Sequence, residues 1–153
     1  MTFHCSLGNP NDGTEKKLLE WAAEKLGIPS WTTDSQAIGV IETETGAIAA
    51  VAVYNGFTGS MCSIHLVSDG KRRWLSGRTA FGILGYPFNV LDLERLSGYI
   101  AASRTDALIL ALRMGFQFEG RLREAFQGED VIVLGLLRKD AGKWLNWREG
   151  DDG

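Results

Sequence analysis

The chain has 153 residues, 44% of them hydrophobic, with a formal net charge of −3 and a pI near 5.4. That composition suits one domain with a buried core, and it excludes a protein drawn to nucleic acid by overall positive charge. Cys5 and Cys62 lie outside any C-x-x-C or Cys/His spacing, which excludes a disulfide framework and a zinc site and leaves free thiols in a reducing compartment.

Near the N-terminus, Gly8, Asn9, Pro10, Asn11, Asp12 and Gly13 stand where a secretory leader needs an unbroken apolar stretch, and no run approaches transmembrane length. A cytoplasmic location without membrane contact is therefore expected. Asp12 followed by Glu15 has the form of a capping box, and Leu18, Leu19, Ala22, Ala23 and Leu26 follow at helical spacing until Gly27 and Pro29 stop the helix. From Gln36 the period becomes two: 37–42 and 47–54 read as a hairpin around Thr43-Glu44-Thr45-Gly46, and 61–67 adds a third strand after Asn55-Gly56-Phe57-Thr58-Gly59.

Beyond Ser68-Asp69-Gly70 the chain turns basic at Lys71, Arg72 and Arg73, then helical through Ala80, Phe81, Ile83 and Leu84 until Pro87 interrupts it. A strand over 96–102, a helix over 105–114 closed by Gly115, and two strands over 116–126 and 131–137 follow. A short segment with Trp144, Leu145 and Trp147 comes last. The order predicts an α/β (α+β) fold with a mixed sheet and helices on both faces, one domain over 1–147 and a fraying tail over 148–153.

The second half carries a family resemblance. Arg104 and Ala107, then Gly115-Phe116, stand where acyl-CoA N-acyltransferases of the GNAT superfamily have N-x-x-A and, after a helix, Gly-Phe. Phe118-Glu119-Gly120 with Arg121-Leu122-Arg123 resembles the stretch that follows. Arg72-Arg73-Trp74-Leu75-Ser76-Gly77 resembles the family's acyl-CoA loop, Q/R-x-x-G-x-G/A, with Leu75 replacing the first glycine. Arg73-Trp74-Leu75-Ser76 and Gly85-Tyr86-Pro87-Phe88 are similar to small members encoded by phages and prophages. The resemblance implies a GNAT fold, mostly antiparallel, whose fourth and fifth strands splay apart around pantetheine.

It also implies acetyl-CoA as cosubstrate without a metal, and direct transfer of the acetyl group to an amine on a small molecule or protein. Main-chain groups of Leu66, Val67 and Ser68 would hold the pantetheine arm and the oxyanion. Lys71, Arg72, Arg73, Trp74, Leu75, Ser76, Gly77 and Arg78 would hold the pyrophosphate at a helix N-terminus, and Arg104 would lie near the pantetheine arm. The family's thiolate-protonating tyrosine falls at Ala111.

Several residues carry two readings. His65 suits a general base or a hydrogen-bonded structural histidine. Tyr54 suits a wall of the acceptor cleft or an ordinary strand tyrosine, and Glu119 suits a base or a salt-bridged strand carboxylate. The basic cluster suits CoA phosphates, nucleic acid or a solvated helix start; its place between strand and helix favours the first, and composition gives nucleic acid no support. Leu75, Arg104 and Ala111 also suit a silent GNAT-fold binding or virion-associated protein, and the edge strands allow a monomer or a homodimer.

Overall fold

The computed structural model describes residues 1–71 and 73–151. Strand β1 (Phe3–Leu7) precedes helix α1 (Thr14–Leu26), and β2 (Gln36–Glu42), β3 (Ile48–Asn55) and β4 (Met61–Ser68) follow as the expected meander. Helix α2 (Gly77–Gly85), strand β5 (Arg95–Ala101), helix α3 (Thr105–Met114), strands β6 (Gln117–Phe126) and β7 (Glu129–Leu137), and the short helix α4 (Gly142–Leu145) complete the chain. They build one seven-stranded sheet in the order β1-β2-β3-β4-β5-β7-β6. The β4/β5 contact is parallel, whereas every other neighbouring pair is antiparallel.

Period-two alternation divides the core into two layers. Leu18 and Ala22 of α1 pack with Ala37, Val51, Val53 and Val67 on one face. On the other, Ile83 and Leu84 of α2 and Met114 of α3 pack with Tyr54, Cys62, Ile64, Leu96 and Leu134.

Three local expectations are corrected. The first element is a strand, not a helix: Phe3–Leu7 pairs with β2 as an edge strand, and its half-exposed sequence carries little alternation to announce it. The capping box at Asp12 does not form. Gly13, left-handed at φ 85°, is the N-cap of α1, and the Asp12 carboxylate instead accepts hydrogen bonds from the Thr14 amide and hydroxyl in a local turn. Nor does Pro87 end the second helical segment. The chain continues as a wider π turn over Tyr86–Val90, closed by Leu91 N–H donating to the Tyr86 carbonyl at 3.0 Å.

Candidate active site

Strands β4 and β5 pair only from Met61↔Arg95 to Ile64↔Gly98. Beyond that point β4 stays on β3 as far as Ser68↔Ala50, and β5 stays on β7 as far as Ala101↔Val131, so the parallel pair opens into a slot. The phase of the ladders decides which backbone groups face it. Asp69 N–H donates to the Ala49 carbonyl, so alternation commits Val67 and His65 to β3 and turns the amides and carbonyls of Leu66 and Ser68 toward β5. Similarly, Ala102 N–H donates to the Asp130 carbonyl, which turns the backbone groups of Tyr99 and Ala101 toward β4.

A cleft of about 490 Å³ occupies this opening and reaches both faces of the sheet. Ala107, Leu110 and Ala111 of α3 wall one side, and Trp31, His65 and Tyr99 line the other. Arg104 also lines the cleft, and its guanidinium lies 3.9 Å from the Asp106 carboxylate. The expected stretch Leu66–Val67–Ser68 thus meets Arg104 and His65 around one opening, with Val67 turned by its backbone to β3 rather than to the gap.

His65 is held between rings, with centroids 5.3 Å from Trp31 and 6.4 Å from Tyr99. Asn55 Nδ2 donates to Ser35 Oγ at 3.2 Å, and His65 Nε2 lies 3.2 Å from Asn55 Oδ1. An amide oxygen only accepts, so Nε2 carries the hydrogen and the neutral ring keeps its lone pair on Nδ1. Burial lowers the His65 pKa from its ordinary value and favours that neutral form. Trp31 is fixed in turn by Nε1–H donating to the Leu19 carbonyl at 2.9 Å.

The two other candidate acid/base residues lie elsewhere. Tyr54 is fully buried, and its hydroxyl donates to the Ile83 carbonyl at 2.6 Å. Glu119 sits at a bulge in β6 and reaches over Gly135, which has no Cβ to obstruct it, to form a two-pronged ion pair with Arg95. The hydrogen bonds from Arg95 hold the Glu119 carboxyl below its usual range. Neither side chain lines the cleft.

The loop after β4 is locally braced. Ser68 Oγ accepts from Gly70 N–H and from Trp74 Nε1–H, while Trp74 is buried and Thr79 Oγ1 donates to its carbonyl at 2.7 Å. Ser76 caps α2 in a reciprocal box with Thr79, and Leu75 is packed against the core behind it. Gly77 is buried at the start of α2, whereas Lys71, Arg73 and Arg78 are exposed. Arg78 is ion-paired with Glu149 and lies 6.0 Å from the Trp147 ring, within a turn closed by Arg148 N–H donating to the Asp151 carboxylate. Arg72 and residues 152–153 lie outside the described residues.

Sequence reasoning missed Trp31, Asn55 and Tyr99. Tyr99 carried one readable signal, its place just after Gly98 in an alternating strand; nothing local linked Trp31 or Asn55 to His65. Both thiols are pushed up to about 12 by burial, so Cys5 and Cys62 are poor nucleophiles. Among the described residues, no group of three His, Cys, Asp or Glu side chains could hold a metal ion, and no helix is long and apolar enough to cross a membrane.

A seven-stranded mixed sheet flanked by helices matches the fold of GNAT acetyltransferases. Solved structures of that fold superimpose over nearly the whole chain. Mutant forms of the spermidine/spermine N-acetyltransferase SpeG from Vibrio cholerae match with a TM-score of 0.73 and 12% identity, over 92% of this chain and 96% of that one. The ribosomal-protein-S5-alanine acetyltransferase from Vibrio fischeri matches with a TM-score of 0.71 and 11% identity, over 92% and 95%. A GNAT-family acetyltransferase from Bacillus anthracis matches with a TM-score of 0.65 and 13% identity, over 91% and 96%. At these identities the likeness is one of fold. No protein-family model matches the chain, and no curated protein matches it in sequence.

Proposed function

We propose that the protein is an N-acyltransferase that moves an acetyl group from acetyl-CoA directly to a primary amine. The observation that carries this reading is the opened β4/β5 pair, where the backbone groups of Leu66 and Ser68 face a slot that runs through the sheet to His65. Pantetheine carries amides of the kind such strand edges pair with, so the residues present fit that arm. The loop over 69–78 and the start of α2 would hold the pyrophosphate, with Lys71, Arg72 and Arg73 available for charge-assisted contacts. Arg104 would sit at the rim of the arm's channel.

In the reaction the amine nitrogen bonds to the thioester carbonyl carbon, and the C–S bond breaks as the tetrahedral oxyanion collapses. A Leu66 or Ser68 amide would stabilise that oxyanion, and His65 Nδ1 would take the proton from the attacking amine. The Asn55 carbonyl oxygen holds the opposite ring nitrogen and stabilises the imidazolium that results. A thiolate whose conjugate acid has a pKa of about 8.5 departs without a strong acid, so Ala111 in place of a tyrosine does not forbid turnover.

One observation favours a second reading, a GNAT-fold protein that binds without catalysing: Arg78, at the start of α2, is already occupied by Glu149 and Trp147. Titration with acetyl-CoA in a calorimeter and a thermal melt separates the two. The acyltransferase should bind saturably, with CoA as competitor, and gain about 2.7 kcal/mol at a hundredfold excess over Kd. That corresponds to roughly 5–10 °C in Tm for a chain of this size. An unmoved melt and no heat of binding would support the silent form.

A further inference from the structure

Resting on the acyltransferase reading, we infer that the acceptor is a small monoamine with an apolar alkyl or aryl body. The α1 side of the cleft, where the amine must approach His65, is walled by Leu26 and Ile28 at the end of α1 and by Leu122 and Phe126 of β6. The β6–β7 turn closes over it: Gln127 Nε2 donates to the Gly27 carbonyl at 3.4 Å, joining the turn to the C-cap of α1. That bridge narrows the approach to His65 from this side, which suits a compact molecule better than a bulky protein surface.

Charge narrows the class further. Among the described residues that line the cleft, Glu129 is the one carboxylate, and it already accepts from the Ser103 amide at 3.0 Å and the Ser103 hydroxyl at 3.1 Å. Arg104, at the same end of β5, repels a second cation. A polyamine entering this chamber would bury its second ammonium with one carboxylate to meet it, tied at both oxygens to Ser103 beside the Arg104 cation, which is unfavourable. An apolar body, by contrast, gains from every methylene it removes from water, and the Trp31 and Tyr99 rings beside His65 give an aryl group flat surfaces to lie on.

The test uses the full chain with saturating acetyl-CoA and follows release of the CoA thiol. The acceptors are n-butylamine, n-hexylamine, phenethylamine, spermidine and a peptide with a free α-amine, and acetyl-CoA binding is measured calorimetrically on the same sample. The inference expects kcat/KM to rise about fourfold for each added methylene. It also expects phenethylamine to exceed spermidine by about tenfold or more. Phe126→Glu should erase the methylene dependence while leaving acetyl-CoA affinity unchanged, and Phe126→Ala, which removes a wall without touching the rings that hold His65, should weaken phenethylamine and hexylamine selectively if the glutamate variant does not fold. Intact acetyl-CoA binding with preference for spermidine or the peptide, or with a flat alkyl series, would overturn the acceptor class alone. Absence of acetyl-CoA binding would remove the acyltransferase reading and this inference with it.

Discussion

Replacing Tyr54 with phenylalanine separates a structural tyrosine from a chemical one. In α2 the Ile83 carbonyl should accept from the N–H four residues on, but residue 87 is proline and has none to give. The Tyr54 hydroxyl supplies a donor at 2.6 Å from a fully buried position. Tyr54→Phe keeps the ring, its packing and its tilted contact with Tyr86 at 5.5 Å, so the change isolates one hydrogen bond and leaves a buried carbonyl without that donor. Such an orphan costs about 1–3 kcal/mol. For a chain of this length, a loss of about 2 kcal/mol lowers Tm by roughly 4–8 °C. Urea melts should show the midpoint falling with an unchanged m-value, and acetyl transfer below the melt should stay within about twofold of the parent. A melt within about 0.5 kcal/mol of the parent together with a kcat loss beyond about tenfold would refute the reasoning and move Tyr54 into the chemistry.

Two further outcomes test the packing and the site. At Gly82, where α2 crosses β1, an added Cβ would lie 2.6 Å from Cys5 Sγ and 2.8 Å from Cys5 Cβ, so Gly82→Ala should cost about 1–3 kcal/mol, read as a lowered urea midpoint. His65 titrates lower in the folded chain than its ordinary 6.5, so the unfolded chain binds the proton more readily. Stability should therefore be complete above about pH 6.5 and decline as pH falls toward the folded value. Unfolding free energies measured between pH 7.5 and 5.5 should lose part of this slope in His65→Gln, and an identical slope would show that burial does not perturb the ring.

What could be read from the chain was local. Gly27 and Gly115 stop α1 and α3 as expected, because only a residue free to adopt positive φ, 71° and 105° here, closes those helices. The Thr43–Gly46 hairpin and the alternation of β2 to β4 were legible for the same reason: partners lie close in sequence. By contrast, β1 needs β2, more than thirty residues away by the Phe3↔Glu42 pairing, before it has any reason to be a strand. The site divides along the same line. His65 to Ser68 are consecutive and could be read as one strand end, whereas Trp31, Asn55 and Tyr99 reach His65 only through cross-sheet packing. The ion pair of Glu119 was hidden for a related reason, since its Arg95 partner and the Gly135 gap beneath it are brought together by three different strands.

The open slot is held against an evident local gain. Zipping β4 onto β5 beyond Ile64 and Gly98 would form further cross-strand hydrogen bonds worth about 0.5–1.5 kcal/mol each. The outer pairings carry the two strands along separate paths: β4 follows β3 through Ser68, and β5 follows β7 through Ala101. Closure would also have to crush His65 against Tyr99 on one face and expel the wall that Ala107 and Ala111 line on the other. Backbone groups of Leu66, Ser68, Tyr99 and Ala101 consequently face an opening where a polar partner must be found. A ligand that is narrow, extended and rich in amides meets that demand better than a bulky or purely apolar one. The same argument gives the small residues on α3 their weight: with a large side chain at Ala107 or Ala111, the strands would remain apart around a filled gap, retaining the fold while losing the open slot.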